Sequence, residues 1–448
     1  MSKPVLLAIC PCQSQSGYGK HSSDLVRSII KMDKFDVKVL PLRWGNTPLN
    51  ALEPGKDDDI ISRILLNPNL TKQPDITFQV TVPNEFQPIG KYNIGVTAGV
   101  ETTVSPAHCI EGLNRMDLNI VTSNFAKHTF QTTNYTKNNP QTNQPMGQLK
   151  SEKSMEVLFE GCDTSVYRRL LENEEYCPEI KEELSKVKED WSFLVVGHWL
   201  QGVMGHDRKD IGMTVKIFLE TFKNVNNPPA LILKISTATF SILDKNEMLK
   251  RLREIKSSVQ SDKPLPNVYL LHGQLDDTEM NQLYNHPKIK AMVSFTKGEG
   301  FGRPLLEFTM SGKPIIASGW SGHLDFLDRD LSVLLPGKLE PVHPASVNDY
   351  IIKEGQWFTV DYNIGGNVML DMFSNYNKYL SNAKKLMYQN KNSFTLNDMK
   401  NKLELILNKH LPEFPEELNL KLPDSVLAKK KIQLPKLKKI GGNNEKID

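Results

Sequence analysis

The sequence predicts an α/β protein of two Rossmann-like, doubly wound domains facing a central cleft. Three observations predict it. The chain has 448 residues, more than one ordinary core holds and comfortable for two. Through the first half, short apolar runs alternate with helix-periodic stretches, the rhythm of a parallel sheet with helical crossovers. The second half repeats that alternation from the start.

In the first half, residues 5–9 read as a buried strand and 11–19 as a loop. Residues 21–32 place Leu25, Ile29 and Met32 at helical spacing, and 36–40 return to strand. Runs at 76–80, 92–96 and 118–122 read as further strands, and 124–130 opens a helix. Residues 133–153 are rich in Thr, Asn, Gln, Pro and Lys and read as a mobile surface loop. A strand at 155–159 then runs into Glu160.

In the second half, strands are expected at 193–197, 230–235, 268–272, 291–295 and 313–317. Helices are expected at 211–222, 243–257, 278–284 and 304–311, and 366–410 reads as helical. The boundary falls near 164–190. The expected division is an N-terminal domain over 1–170, a C-terminal domain over 171–390, and a closing helix with a basic tail over 391–448. Asp57, Asp58 and Asp59 read as a helix N-terminal charge run.

Hydrophobic residues make up 39% and charged residues 24%, an ordinary globular composition. A net charge of +3 does not by itself argue for nucleic acid or membrane. Five scattered cysteines do not form a disulfide framework, and the reading is a reducing, cytoplasmic compartment. The close pair Cys10 and Cys12 lacks a second pair and nearby His ligands, so no metal is expected. No apolar stretch approaches the roughly 20 residues that span a bilayer.

The strongest chemical signal lies at 294–318. A strand ends, a Gly-rich turn follows, and a helix begins with Pro304 near its first position. Gly298, Gly300 and Gly302 let backbone approach a ligand closely. Free N–H groups at a helix start favour a diphosphate. Glu299 sits on the turn and Glu307 one turn into the helix, where carboxylates accept hydrogen bonds from sugar hydroxyls. A second signal, Asp207-Arg208-Lys209-Asp210, lies between a strand and a helix and offers cations for a leaving diphosphate. A third, Gln15-Ser-Gly17-Tyr-Gly19-Lys20, follows the first strand; alone it is a weak pattern.

The run Glu299-Gly300-Phe301-Gly302-Arg303-Pro304-Leu-Leu-Glu307 resembles the EX7E motif of family 4 retaining glycosyltransferases, which have the GT-B fold. Gly319-Trp-Ser-Gly-His323 is similar to that family's Gly-rich loop after the next strand. The resemblance spans most of 190–330 and more loosely the N-terminal loop. Val196-Gly-His-Trp-Leu200, Asp207-Arg-Lys209 and Leu233-Lys234-Ile-Ser236 look most like a phage- or virus-encoded branch.

The resemblance implies a sugar moved from a nucleotide-sugar donor, a UDP-sugar, to a hydroxyl acceptor with retention, and no cofactor. It places Glu299 by the donor sugar and Glu307 on the ribose, with Gly300, Phe301, Gly302 and Arg303 along the donor. Lys209 matches the family's lysine. Where the family has Gly-Arg, this chain has Gly197-His198, so Arg208 or Lys234 is left to supply the second cation. Gly17 and Gly19 match the loop near the donor diphosphate. Glu101 and Thr102 stand where many members keep a sugar-contacting His, as candidates for donor or acceptor. His272 matches a segment near the base and reads first as a packed or capping histidine.

The acceptor is open between a glycan, lipid or small molecule and a 5-hydroxymethyl-pyrimidine in duplex viral DNA. Lys429–Lys431, Lys436, Lys438 and Lys439, with the loop at 133–153, weigh slightly toward DNA. A non-catalytic binding protein on the same scaffold is the rival from another class; the presence of Glu299, Glu307 and Lys209 argues against it.

Overall fold

A computed structural model describes residues 3–67, 70, 72–139, 141–171, 173–199, 202–237 and 240–414. The basic tail beyond lies outside the described residues. The first half runs β1 (Val5–Cys10), α1 (Gly17–Met32), β2 (Asp36–Pro41), α2 (Asp58–Ile61), β3 (Ile76–Val80), β4 (Tyr92–Thr97), α3 (Ala107–Asn114), β5 (Leu118–Val121) and α4 (Asn124–Thr132). There follow β6 (Asn134–Asn138), β7 (Pro145–Lys150) and β8 (Ser154–Val157). The strands pair in parallel in the order β2-β1-β3-β4-β5-β8.

After α5 (Pro178–Ser185), the second half runs β9 (Ser192–His198), α6 (Ile211–Phe222), β10 (Ala230–Ser236), α7 (Ile242–Ser257), β11 (Val268–Leu270) and α8 (Asp277–Asn285). It continues with β12 (Ile289–Ser294), α9 (Arg303–Thr309), β13 (Ile315–Ser318) and β14 (Val333–Leu335). The order β11-β10-β9-β12-β13-β14 is that of a doubly wound Rossmann sheet, all parallel. The two doubly wound sheets expected from the sequence are both present. An antiparallel pair, β15 (Gly337–Pro341) and β16 (Gln356–Val360), follows.

Periodicity explains the packing. On α6, Ile211, Val215, Phe218, Leu219 and Phe222 form one buried stripe against Phe193 and Val195 of β9. Each such side chain contributes about 1.5–3 kcal/mol by leaving water. Strand β10 is buried along its whole length, as a central parallel strand must be.

One expectation is corrected. Residues 133–153 are not a loop: β6 and β7 pair as an antiparallel hairpin from Asn134↔Lys150 inward. Its residues are mostly exposed on both faces, so no apolar alternation announced it. Residues 366–410 are helical, as the sequence indicates, divided among α10 (Tyr362–Ser374), α11 (Tyr376–Lys391) and α12 (Leu396–His410). The last begins at a capping box in which Thr395 and Asp398 satisfy each other's backbone N–H groups. Helix α12 packs on α1, where Lys34 meets Glu404 at 2.8 Å. No helix among the described residues is long and apolar enough to cross a membrane.

Candidate functional site

Both sheets change winding direction at a definite point, between β1 and β3 in the first and between β9 and β12 in the second. Connections leaving such a point in opposite directions open a crevice beyond the strand carboxyl ends, where ligands bind. The segments leaving β9, β12 and β1 carry Arg208 and Lys209, Glu299, and Gly17 and Gly19.

Glu299 is buried and doubly held. Lys209 Nζ donates to its Oε1 at 2.5 Å and Arg208 Nη1 to its Oε2 at 3.3 Å. Arg208 also donates to the Gly298 carbonyl at 2.8 Å and lies 3.9 Å from the Glu101 carboxylate. Burial would raise the Glu299 pKa, but the charges of Lys209 and Arg208 outweigh it and hold it at about 2. Burial lowers the pKa of Lys209, and Glu299 offsets only part of that. The arrangement keeps two cations and their counter-ion together at the crevice floor.

A second layer fixes these loops to each other. The backbone N–H of Lys297 donates to the Arg208 carbonyl at 2.7 Å. Its Nζ, wholly buried, donates to Thr359 Oγ1 at 2.9 Å and lies 3.5 Å from Asp210. Tyr362 donates to the same Asp210 carboxylate at 2.6 Å. Asp207 accepts the Ile211 N–H at 3.1 Å at the start of α6, and burial, with Asp210 nearby, pushes its pKa up to about 6.

Lys234 donates to the Gly273 carbonyl at 2.5 Å, and burial lowers its pKa to about 8. His198 shares a hydrogen bond with Ser236 at 2.9 Å. Burial, then the charges of Lys209 and Arg208, bring its pKa down to about 4, so it is neutral beside the cations. The stem of Lys209 lies along Gly197. His272 packs 6.0 Å from the Phe240 ring, and its Nε2 has no hydrogen-bond partner. Phe301 is in the core against Phe326, with centroids 5.0 Å apart.

The first sheet approaches the Gly-rich turn closely. A Cβ on Gly298 would lie 2.0 Å from the Glu101 carbonyl oxygen, and one on Gly300 would lie 2.1 Å from that of Ala98. Only glycine permits that contact. Thr122 Oγ1 donates to the Gly300 carbonyl at 3.3 Å. Ser16 caps α1 by accepting from Gly19 N–H at 3.0 Å, and a Cβ on Gly19 would strike the Ser14 carbonyl, whereas Gly17 faces open space. Tyr18 stacks on Trp44 and ties its hydroxyl to Thr97 and the Ala98 N–H, each at 3.0 Å.

Glu307 stands in a different cluster. Arg303 donates from Nε to its Oε1 at 2.9 Å and from Nη2 to Asp24 of α1 at 2.8 Å, and its Nη1 lies 3.9 Å from Glu160. All four side chains are buried. Burial pushes both Glu160 and Glu307 up to about 7 despite Arg303. His21 faces the same guanidinium with both ring nitrogens unpartnered, and burial lowers its pKa to about 3. Beside this cluster, Lys20 is ion-paired with Asp277, which also accepts from Tyr167 at 3.0 Å. A cavity of about 680 Å³ opens there, lined among others by Gly19, Lys20, Asp24, Gln274, Asp277 and Thr395.

The sequence candidates therefore fall into groups. Glu299, Arg208, Lys209 and Glu101 meet around one carboxylate, Arg303 and Glu307 form the second cluster, and Lys234 lies with Gly273 next to His272. Sequence reasoning missed Asp24, Glu160 and Lys297, and took Asp210 only as part of the charged run after β9. Away from the cleft, Cys177, Glu179 and Glu279 bring ligand-capable atoms within 4.8 Å of one another, although Glu279 already serves the capping box of α8.

No protein-family model and no curated protein matches the sequence. Solved structures do match the fold. Anabaena HepE in complex with UDP and glucose aligns over 90% of this chain and 99% of its own, at 13% identity and a TM-score of 0.56. A Rickettsia africae glycosyltransferase aligns over 92% and 100%, at 13% and 0.56. Sucrose-phosphate synthase from Thermosynechococcus elongatus aligns over 91% and 98%, at 11% and 0.57. At such identities the likeness is one of fold, and the fold is GT-B.

Proposed function

We propose that this protein is a glycosyltransferase that moves a sugar from a UDP-sugar to a hydroxyl acceptor with retention of anomeric configuration. One observation carries the reading. Lys209 and Arg208 are held as a cation pair, with Glu299 between them, at the switch point of a GT-B C-terminal sheet. Loss of a nucleoside diphosphate builds negative charge on the β-phosphate. Fixed cations in a dry crevice stabilise that charge without reorganising. On donor binding, Lys209 and Arg208 shift from Glu299 toward the diphosphate, and Glu299 then faces the sugar hydroxyls.

Fold relatives carry UDP with glucose, or are a glycosyltransferase and a sucrose-phosphate synthase by name, which supports a UDP-sugar donor. Retention rests on the likeness of the Glu299–Glu307 spacing to family 4, and the kinship with phage-encoded members on the runs 196–200, 207–209 and 233–236. Attack then comes from the face the leaving group departs, and a leaving phosphate oxygen takes the acceptor proton. The acceptor hydroxyl enters from the β4 side, past Glu101.

The test is product analysis with UDP-glucose and separate acceptors: oligosaccharides, a polyprenyl lipid, and duplex DNA bearing 5-hydroxymethylcytosine. An α-linked product with one acceptor class supports the reading. A β-linked product overturns retention, and neither donor binding nor UDP release with any UDP-sugar overturns the whole assignment.

A further inference from the structure

Arg303 and Glu307 lie four residues apart on α9, so this pair persists whatever the two sheets do. Asp24, on α1, and Glu160, just after β8, belong to the layer of the first sheet and reach Arg303 across the cleft. A guanidinium is a fixed fork of five donors. Its tightest mode on a carboxylate uses two parallel N–H groups, one to each oxygen. Here Nε serves Glu307 and Nη2 serves Asp24. Nη2 carries two N–H groups and is the nitrogen that would complete such a fork on Glu307; with Asp24 engaging it, the guanidinium is turned so that Nε alone serves Glu307.

We propose that Asp24 is a positioning residue that acts through Arg303. By holding Nη2 across the cleft it keeps the guanidinium from taking both Glu307 oxygens, and so leaves one of them for a donor hydroxyl. The proposal rests on the reading of Glu307 as the group that holds the donor ribose. With the sheets apart, Arg303 keeps Glu307 alone and closes on it. With the sheets together, Asp24 divides the fork. Readiness of the ribose contact is thereby tied to domain closure, and the donor meets a free Glu307 oxygen only in the closed form.

The experiment is calorimetric titration with UDP of the full chain and of Asp24→Asn, Arg303→Gln, the double variant and Glu307→Ala, with thermal unfolding as the check on folding. Asp24→Asn is expected to weaken UDP binding roughly tenfold, within the usual range of coupling between sites. On the Arg303→Gln background the same substitution is expected to change nothing further, because no guanidinium is left to misplace. Asp24→Glu, which keeps the ion pair, is expected to retain most of the affinity. Equal losses with and without Arg303, or a loss for Asp24→Glu as large as for Asp24→Asn, overturn the proposal. No loss for Asp24→Asn while Glu307→Ala still weakens binding overturns it alone. If Glu307→Ala leaves UDP affinity unchanged, the ribose reading fails first and this inference with it.

Discussion

Lys209 Nζ and Glu299 Oε1 stand 2.5 Å apart on loops that leave the neighbouring strands β9 and β12. Both side chains are largely withdrawn from solvent. A solvated ion pair contributes little, but removing one member of a buried pair strands the other charge, at a cost of about 3–5 kcal/mol. Glu299→Ala should therefore lose stability on that scale in urea unfolding. A loss below about 1 kcal/mol would place the pair among the solvated ones.

Gly300 tests the approach of the two sheets. A methyl group there would lie 2.1 Å from the Ala98 carbonyl oxygen, a contact that the backbone must shift to relieve. Gly300→Ala should raise the radius of gyration in small-angle scattering. Turnover of UDP-glucose should fall about 100-fold, as misplacement by an ångström costs. Unchanged scattering with normal turnover would mean that the turn yields locally.

Glu160 makes stability depend on pH in a definite direction. Burial pushes its pKa up from 4.5 to about 7. The folded chain thus keeps a proton that the unfolded chain releases between those values. The stability this group contributes is complete below about 4.5 and is lost as pH rises through 7. Glu160→Gln is neutral throughout and lacks that fall. Urea midpoints from pH 5 to 8 should decline more steeply for the parent than for the variant; parallel curves would contradict the assignment.

Much of the fold was legible because β-rich apolar runs such as 193–197 and 230–235 could not be anything but buried strands once helical stretches separated them. The hairpin of β6 and β7 was not, since its polar residues carry no face preference. The break before α12 was legible in principle from Thr395 and Asp398, three apart, but helical periodicity on both sides masked it. In the candidate site, glycines and cations after strand ends pointed to Glu299, Lys209 and Arg208, which the structure brings together. Asp24 was hidden because its partner, Arg303, lies 279 residues away in sequence. No local pattern distinguishes such a buried acid from a solvated one. Lys297 was hidden likewise, its partner Asp210 being supplied by another strand's loop.

The central claim is that Lys209, with Arg208, holds the departing diphosphate. The most direct measurement is the initial rate of UDP release from saturating UDP-glucose, for the parent and for Lys209→Ala shown to be folded by circular dichroism. Removing one preorganised donor to developing charge costs about 100- to 1,000-fold in kcat, and that drop is the predicted result. Equal rates in the two proteins would contradict the account.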